Sequence, residues 1–88
     1  MKVLVICRPQ PGVTPGQIAA HVPAERAALQ QLKADGGLRE AYSPGGPGAI
    51  LIFDDDRAAV DSAVASLPLV REGLIEAEII ELHPLGGP

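Results

Sequence analysis

The chain has 88 residues, a length that accommodates one domain, residues 1–88, around one hydrophobic core. Hydrophobic residues make up 47% of the chain and charged residues 20%, which excludes a disordered protein, and the formal net charge of −4 without a basic cluster opposes nucleic-acid binding. No apolar run approaches the roughly 20 residues of a membrane span, and the single cysteine is typical of a reducing compartment, so we expect a cytoplasmic protein.

The N-terminal segment predicts a strand followed by a helix. Val3–Cys7 is a short, largely β-branched run, and the chain reaches Arg8 and Pro9 too soon for a signal peptide. Thr14 is a favourable helix N-cap, because a proline follows it at the first helical position and a glutamine three residues later completes a capping box. We expect this helix to run to about Asp35, where a glycine follows.

A proline inside this helix predicts a discontinuity. Pro23 has no backbone N–H to donate, so the helix should kink near His21 or restart at Pro23. Apolar residues at helical spacing form the predicted buried stripe, which comprises Ile18, Val22, Leu29 and Leu32.

The centre of the chain predicts two strands joined by a turn, and then a second helix. Leu38–Tyr42 alternates in character and Ala49–Phe53 is apolar throughout, while Ser43–Gly48 between them is rich in Gly and Pro. Asp54–Asp56 has the composition of a helix cap and lacks the flanking ligands that a metal would need. We expect the helix from Arg57 to about Leu67, with a buried face of Ala59, Val60, Ala63, Val64 and Leu67.

The C-terminal segment predicts one helical turn and a fourth strand. Pro68 ends the second helix, and we expect Leu69–Ile75 to form a single helical turn. Ala77–His83 alternates as an edge strand does, and Pro84–Pro88 is a short tail without core residues.

The order of the elements, β-α-β-β-α-β, predicts an α+β, ferredoxin-like fold with a four-stranded antiparallel sheet. The first and third strands are apolar on both faces and should be central, whereas the second and fourth should lie at the edges. Two helices cover only one face of such a sheet, so the other face needs a cover, and a second copy supplies it. The low aromatic content of 2% also favours a partner for this small core. The sequence therefore predicts a homodimer through sheet-to-sheet packing, with a higher homo-oligomer as a further assembly.

Short motifs in the second half of the chain match a known family. They are Leu67-Pro68-Leu69-Val70, Ile75-Glu76-Ala77-Glu78 and Leu82-His83-Pro84, supported by Leu32–Gly36, Arg39 and Phe53-Asp54. With these residues the chain resembles the muconolactone Δ-isomerase family. The resemblance implies the dimeric α/β-barrel arrangement, a small ring substrate that bears a carbonyl, and no cofactor. The isomerases carry bulky aromatics on the second strand, where this chain has Leu38 and Tyr42, so the resemblance informs the fold better than the substrate.

Glu25 and His21 are the candidate catalytic residues. They are four positions apart on the first helix and therefore share one of its faces. Isomerising a lactone needs a base that takes a proton next to the carbonyl and returns it elsewhere, so Glu25 could be the base and His21 its partner or the acid. The resemblance supports Glu25 alone, since the isomerases carry a glutamate at the matching position. The alternative is a solvent-exposed pair without a catalytic role.

Arg39, Tyr42 and His83 are the candidate substrate-binding residues. Arg39 matches an arginine of the isomerases and could bind a substrate carboxylate, or it could be an edge-strand charge that opposes aggregation. Tyr42 could donate to a developing oxyanion or be an amphipathic rim residue. His83 lies within a family motif, but a structural hydrogen bond to a neighbouring subunit is the competing role. Cys7 is interpreted as a small core residue.

No cofactor and no metal are predicted, because the two histidines form no ligand pattern and Gly45–Gly48 lacks the lysine and the helix of a phosphate loop. The preferred hypothesis is a cofactor-independent, isomerase-like enzyme acting on a small enolisable lactone or ring carbonyl. The alternatives are a polyketide-type cyclase, a cofactor-free monooxygenase, and a non-enzymatic small-molecule-binding or accessory protein. A polar pocket with Glu25 and Arg39 would favour the isomerase, a long apolar cleft the cyclase or oxygenase, and a filled core the accessory protein.

Overall fold

A computed structural model describes residues 1–86 and contains four strands and four helices. The elements are β1 (Lys2–Pro9), α1 (Pro15–Ala19), α2 (Val22–Ala34), β2 (Leu38–Tyr42), β3 (Ala49–Asp54), α3 (Arg57–Ser66), α4 (Pro68–Arg71) and β4 (Ile75–Glu81). The strands form one sheet in the order β2-β3-β1-β4, and every neighbouring pair is antiparallel. The predicted α+β, ferredoxin-like arrangement is confirmed, with β1 and β3 at the centre.

Local sequence signals account for the two N-terminal helices. The Thr14 Oγ1 atom accepts a hydrogen bond from the Gln17 N–H at 3.2 Å, and Gln17 Oε1 accepts one from the Thr14 N–H at 2.8 Å, so the capping box is formed. The helix breaks after α1, and α2 restarts with Pro23 in its first turn, where its missing donor costs nothing. Gly36, after the end of α2, has a φ of +93°, the left-handed conformation expected for a helix stop.

The hydrophobic core lies between the helices and one face of the sheet. Val3 and Val5 of β1 are fully buried there, and Leu51 and Phe53 of β3 are 1% exposed. Helix α3 contributes Val60 and Val64 to the core, followed by Leu67, whereas the predicted Ala59 is exposed and Ala63 is half-buried.

Helix α2 contributes no fully buried residue, which differs from the predicted buried stripe. Ile18 of α1 and Val22, Leu29 and Leu32 of α2 are only half-buried. The reason is a pocket that separates this part of the helical layer from the sheet, since Ile18, Val22 and Leu29 all line it. The stripe does face the sheet, but not in close contact along its whole length.

The second face of the sheet carries aliphatic side chains that no helix covers. We call this the open face, and it comprises Leu4, Ile6, Ile50, Ile52 and Ile80. These residues stand opposite one another across β3, β1 and β4, and all five are half-buried in the single chain. At its border Arg8 and Glu78 form an exposed ion pair at 3.0 Å.

The fourth strand begins two residues earlier than predicted. Its pairing with β1 runs from Pro9 opposite Ile75 to Val3 opposite Glu81, so the predicted range Ala77–His83 is wrong at both ends. The alternation of β4 continues across the true boundaries, so the local pattern does not mark them and the pairing with β1 does. The predicted single helical turn is present as α4, but it spans Pro68–Arg71 instead of Leu69–Ile75. Of the predicted tail, residues 87–88 lie outside the described part of the chain.

Among residues 1–86, no helix is long and apolar enough to cross a membrane.

Candidate active site

A pocket of about 320 Å³ lies between α1, α2 and α4 on one side and the sheet on the other. The turn between β2 and β3 forms part of its rim. Most of its lining is apolar and comprises Ile18, Val22, Leu29, Pro47, Ala49, Leu51, Leu69 and Ile75. Three lining side chains can ionise, and they are Cys7, Glu25 and Arg26. The pocket is therefore an apolar chamber that contains Glu25 but not Arg39, so it differs from the polar pocket with both residues that we expect for an isomerase.

Glu25 is the acidic group of the pocket, and its position is well defined. Its backbone N–H donates to the His21 carbonyl at 2.9 Å within the first turn of α2. Its Oε1 atom accepts a hydrogen bond from the Leu69 N–H at 2.9 Å, which links α2 to α4. Burial raises the pKa of Glu25 above its usual range, and this effect outweighs the lowering by the Leu69 N–H and by nearby His21. The carboxylate is thus moved toward the pH range in which a general base is effective.

His21 is close to Glu25 but does not line the pocket. It occupies the N-cap position of α2, where its side chain caps no backbone N–H, and it is half-buried. Its electrostatic influence favours the ionised form of Glu25. The structure therefore brings this predicted pair together, with Glu25 at the pocket and His21 behind it.

Cys7 and Arg26 are pocket residues that the sequence interpretation left out of the site. Cys7 ends the row of β1 side chains that face the helices, is 5% exposed, and is a free thiol. Burial, and secondarily the charge of Glu25, raise the pKa of this thiol to about 11. Arg26 lies four residues after Val22 and three before Leu29, both lining residues, so helical spacing from the apolar stripe was the available signal.

The three predicted substrate-binding residues lie away from this pocket. Arg39 is exposed at a bulge where β2 begins, and it acts electrostatically on Asp54 at the end of the sheet opposite the pocket. Tyr42 stands opposite Ile50 beside the open face, is 55% exposed, and donates a hydrogen bond to Glu40. That bond raises the pKa of Tyr42.

His83 also lies apart from the pocket. It is exposed and follows the end of β4, near Lys2 at the opposite end of the sheet. In the single chain, His21 and Glu25 therefore lie close together, whereas Arg39, Tyr42 and His83 all lie away from them.

The turn at the rim of the pocket depends on one glycine. Gly48 has a φ of +118°, and a Cβ atom at this position would lie 2.4 Å from the Cys7 carbonyl oxygen. Glycine therefore permits the turn to approach β1 closely enough to border the pocket. The turn leads into β3, not into a helix, as expected for a segment that is not a phosphate loop. Residues 1–86 contain no group of three or more His, Cys, Asp or Glu side chains arranged to hold a metal ion.

Comparison with known proteins locates the chain among solved folds. No protein-family model matches the sequence, and no curated protein matches it. Muconolactone isomerase superposes with a TM-score of 0.76 at 22% identity, covering 98% of this chain and 94% of that chain. The 5-chloro-2-hydroxyhydroquinone dehydrochlorinase of Burkholderia phenoliruptrix AC1100, in complex with 2,5-dihydroxybenzoquinone, superposes with a TM-score of 0.73 at 22% identity, covering 94% of each chain. The chain therefore has the ferredoxin-like fold of muconolactone isomerase, as its sequence resemblance predicted.

Proposed function

We propose that the protein is a cofactor-independent enzyme that moves a proton within a small enolisable lactone or ring carbonyl. The observation that carries this proposal is Glu25, a carboxylate with a raised pKa in an otherwise apolar pocket. A base of this kind removes a proton from the carbon next to a carbonyl and returns it at another carbon of the conjugated system. The two carboxylate oxygens of Glu25 differ. Oε1 accepts a hydrogen bond from the Leu69 N–H, whereas Oε2 accepts none from residues 1–86.

The size of the pocket favours a single-ring substrate. Its volume of about 320 Å³ is at the lower end of the usual range for small-molecule sites, about 300–1,000 Å³. A polycyclic substrate of a cyclase or monooxygenase would need a longer cleft. The proteins of similar fold support this choice, since one is named as a lactone isomerase and the other was solved with a single-ring quinone.

We assign His21 to the electrostatics of the site and not to contact with substrate. Its influence lowers the pKa of Glu25, opposing the effect of burial. Replacing His21 with alanine should raise the pKa of Glu25 further and move the acid limb of the kcat/KM profile to higher pH. A His21→Ala profile identical to that of the parent protein would contradict this assignment.

We propose that the active protein is a homodimer in which the open face packs against the same face of a second copy. The five aliphatic residues of this face are half-buried in one chain, and their burial stabilises the pair by the hydrophobic effect. The pocket lies on the other side of the sheet, among the helices, and remains available to a ligand.

The test is proton exchange into a panel of butenolides and cyclic diketones in D₂O, followed by ¹H NMR against the uncatalysed rate. We expect the parent protein to accelerate exchange for at least one compound. Glu25→Gln should reduce that rate by about 10²–10⁴-fold, the usual contribution of a general base. The matched control is Glu72→Gln, because Glu72 is exposed and does not line the pocket.

Two results would overturn the proposal. One is exchange that is unchanged in Glu25→Gln, since the base would then be another group. The other is the absence of accelerated exchange for every compound that shifts the NMR signals of pocket residues, which would favour a non-enzymatic binding protein.

A further inference from the structure

Cys7 is the second group of the pocket that can give up a proton. Of the side chains that line the pocket, only Cys7, Glu25 and Arg26 ionise, and an arginine side chain is not deprotonated in proteins. Among residues 1–86, no serine, threonine, tyrosine, histidine or lysine lines this space. A proton that a lining side chain delivers to a bound ring therefore comes from Glu25 or from Cys7.

Cys7 and Glu25 belong to opposite walls of the pocket. The Cys7 side chain lies on the face of β1 that is turned toward the helices, and its strand neighbour Ala49 lines the pocket beside it. Glu25 enters the pocket from α2, on the helical side. A planar ring that lies between these layers presents one face to the sheet and the other face to α2. The two groups therefore approach such a ring from opposite faces.

The Cys7 thiol keeps its proton and has no protein group to donate it to. Its side chain is 5% exposed, forms no disulfide, and makes no hydrogen bond to another group of residues 1–86. Burial, and secondarily the charge of Glu25, raise the pKa of the thiol to about 11, so it is almost entirely protonated at neutral pH. The buried thiol proton is thus free for a ligand in the pocket.

We propose that Cys7 is the catalytic acid, so that Glu25 removes a proton from one face of the ring and Cys7 delivers a proton to the other face. This inference rests on the proposed function for the removal of the proton, and it assigns the return of the proton to a second group. A merely structural Cys7 would be a small apolar core residue.

The proposed step is balanced without any further reagent. Glu25 takes the proton from the carbon next to the carbonyl, and the electron pair of that C–H bond enters the conjugated system as a dienolate. The far carbon of the dienolate then takes the thiol proton, which leaves Glu25 protonated and Cys7 as a thiolate. After the product leaves, proton exchange with water in the pocket restores the carboxylate and the thiol.

The first test separates removal of the proton from its return. The probe is α-angelica lactone, a butenolide whose isomerisation removes a proton at C3, adds one at C5 and shifts the double bond from C4–C5 to C3–C4. In D₂O, ¹H NMR measures exchange at C3 and isomerisation separately. Cys7→Ala should slow isomerisation by about 10²–10⁴-fold, the usual contribution of a general acid, and leave exchange at C3 near the parent rate because Glu25 is intact. Cys7→Ser should restore part of the isomerisation, since a hydroxyl group can still donate a proton.

The second test uses the parent protein alone and does not depend on how well a variant folds. The probe is α-angelica lactone deuterated at C3, and the isomerisation is run in H₂O. If Cys7 delivers the proton, the product should carry hydrogen and no deuterium at C5. Deuterium at C5 would show that Glu25 carries the same proton from C3 to C5, and it would overturn the proposal.

The matched control is Ile79→Val. Ile79 lies opposite Val5, packs against the core on the same side of the sheet as Cys7, and does not line the pocket. Ile79→Val and Cys7→Ala each remove one heavy atom, but only the second removes a proton donor. The control should therefore keep the parent ratio of isomerisation to exchange.

The outcomes distinguish this inference from the proposed function. If Cys7→Ala isomerises the lactone at the parent rate, or loses exchange and isomerisation in equal measure, Cys7 does not return the proton. The enzyme with Glu25 as its base would then remain, provided that exchange still depends on Glu25. If the parent protein accelerates neither exchange nor isomerisation, this inference fails together with the proposed function for butenolides.

Discussion

Replacing Glu25 with alanine or with glutamine should separate its structural role from its chemical role. The structural role is the hydrogen bond from the Leu69 N–H to Glu25 Oε1, which joins α2 to α4. Leu69 is 5% exposed, so its backbone N–H lies in a largely buried position when the acceptor is removed. Glutamine can still present a carbonyl oxygen to this donor, whereas alanine cannot.

The magnitude follows from the cost of an unpaired buried donor, about 1–3 kcal/mol. Glu25→Ala should lower the free energy of unfolding by that amount, and a domain of this size then loses on the order of 10 °C in Tm. Below pH 4.5, where the carboxyl group is protonated, Glu25→Gln should remain within about 0.5 kcal/mol of the parent protein, since the exchange then keeps the acceptor for the Leu69 N–H and changes no charge. Both variants should lack proton-exchange activity, because neither has a carboxylate.

Urea denaturation followed by circular dichroism measures these differences, and its pH dependence adds a second readout. The pKa of Glu25 is raised above its ordinary value of 4.5 in the folded state, so the folded protein holds this proton more tightly than the unfolded chain. The stability of the parent protein relative to Glu25→Gln should therefore be greatest below pH 4.5 and fall as the pH rises through the folded-state pKa.

Two outcomes would refute this reasoning. If Glu25→Ala is as stable as the parent protein, the bond to Leu69 contributes nothing to the fold. If the stability difference between the parent protein and Glu25→Gln is constant from pH 4 to pH 8, burial does not penalise the ionised carboxylate.

Three further predictions concern the open face, the rim of the pocket and the thiol. Ile52→Asp, on the open face, should convert the proposed dimer to a chain of 9.1 kDa in light scattering, and a parent protein that is already monomeric at micromolar concentration would contradict the dimer. Gly48→Ala should lose about 1–3 kcal/mol of unfolding free energy, because its Cβ atom would meet a backbone oxygen, whereas Gly46→Ala, with open space around it, should lose much less. Equal losses in urea denaturation would refute this account. Iodoacetamide should label Cys7 at pH 8 at least about 100-fold more slowly in the folded than in the unfolded protein, because a pKa of about 11 leaves little of the thiol ionised. Equal labelling rates in the folded and unfolded protein, measured by mass spectrometry, would contradict this prediction.

The pairing of the strands explains why only some of the predicted site residues lie close together. His21 and Glu25 are joined by the geometry of one helix, which four-residue spacing reveals without tertiary information. The residue type alone makes Arg39 a candidate for binding a substrate carboxylate. However, β2 runs antiparallel to β3, with Leu38 opposite Phe53, so Arg39, the second residue of β2, lies far from Ala49 and the pocket. The predicted hairpin already places Arg39 away from Ala49, and only the tertiary structure shows that the pocket lies at the Ala49 end of the sheet.

The sequence by itself determined the order of the elements and the fold. The capping box at Thr14, the proline at position 23 and the Gly/Pro turn of Ser43–Gly48 act within a few residues, so their effects can be predicted from neighbours along the chain. The two-sided apolar character of the central strands likewise predicted that the face without helices would be apolar.

Tertiary structure alone decided where β4 begins and which groups meet in the pocket. The start of β4 at Ile75 follows from its pairing with Pro9, 66 positions away in the chain. Cys7, Glu25 and Leu69 come together because β1, α2 and α4 converge at one end of the sheet. Alternation indicates that Cys7 faces the helices, but whether it meets a packed side chain or a cavity depends on how closely the helical layer packs there. That distance is a property of the whole fold, because every layer contributes to it.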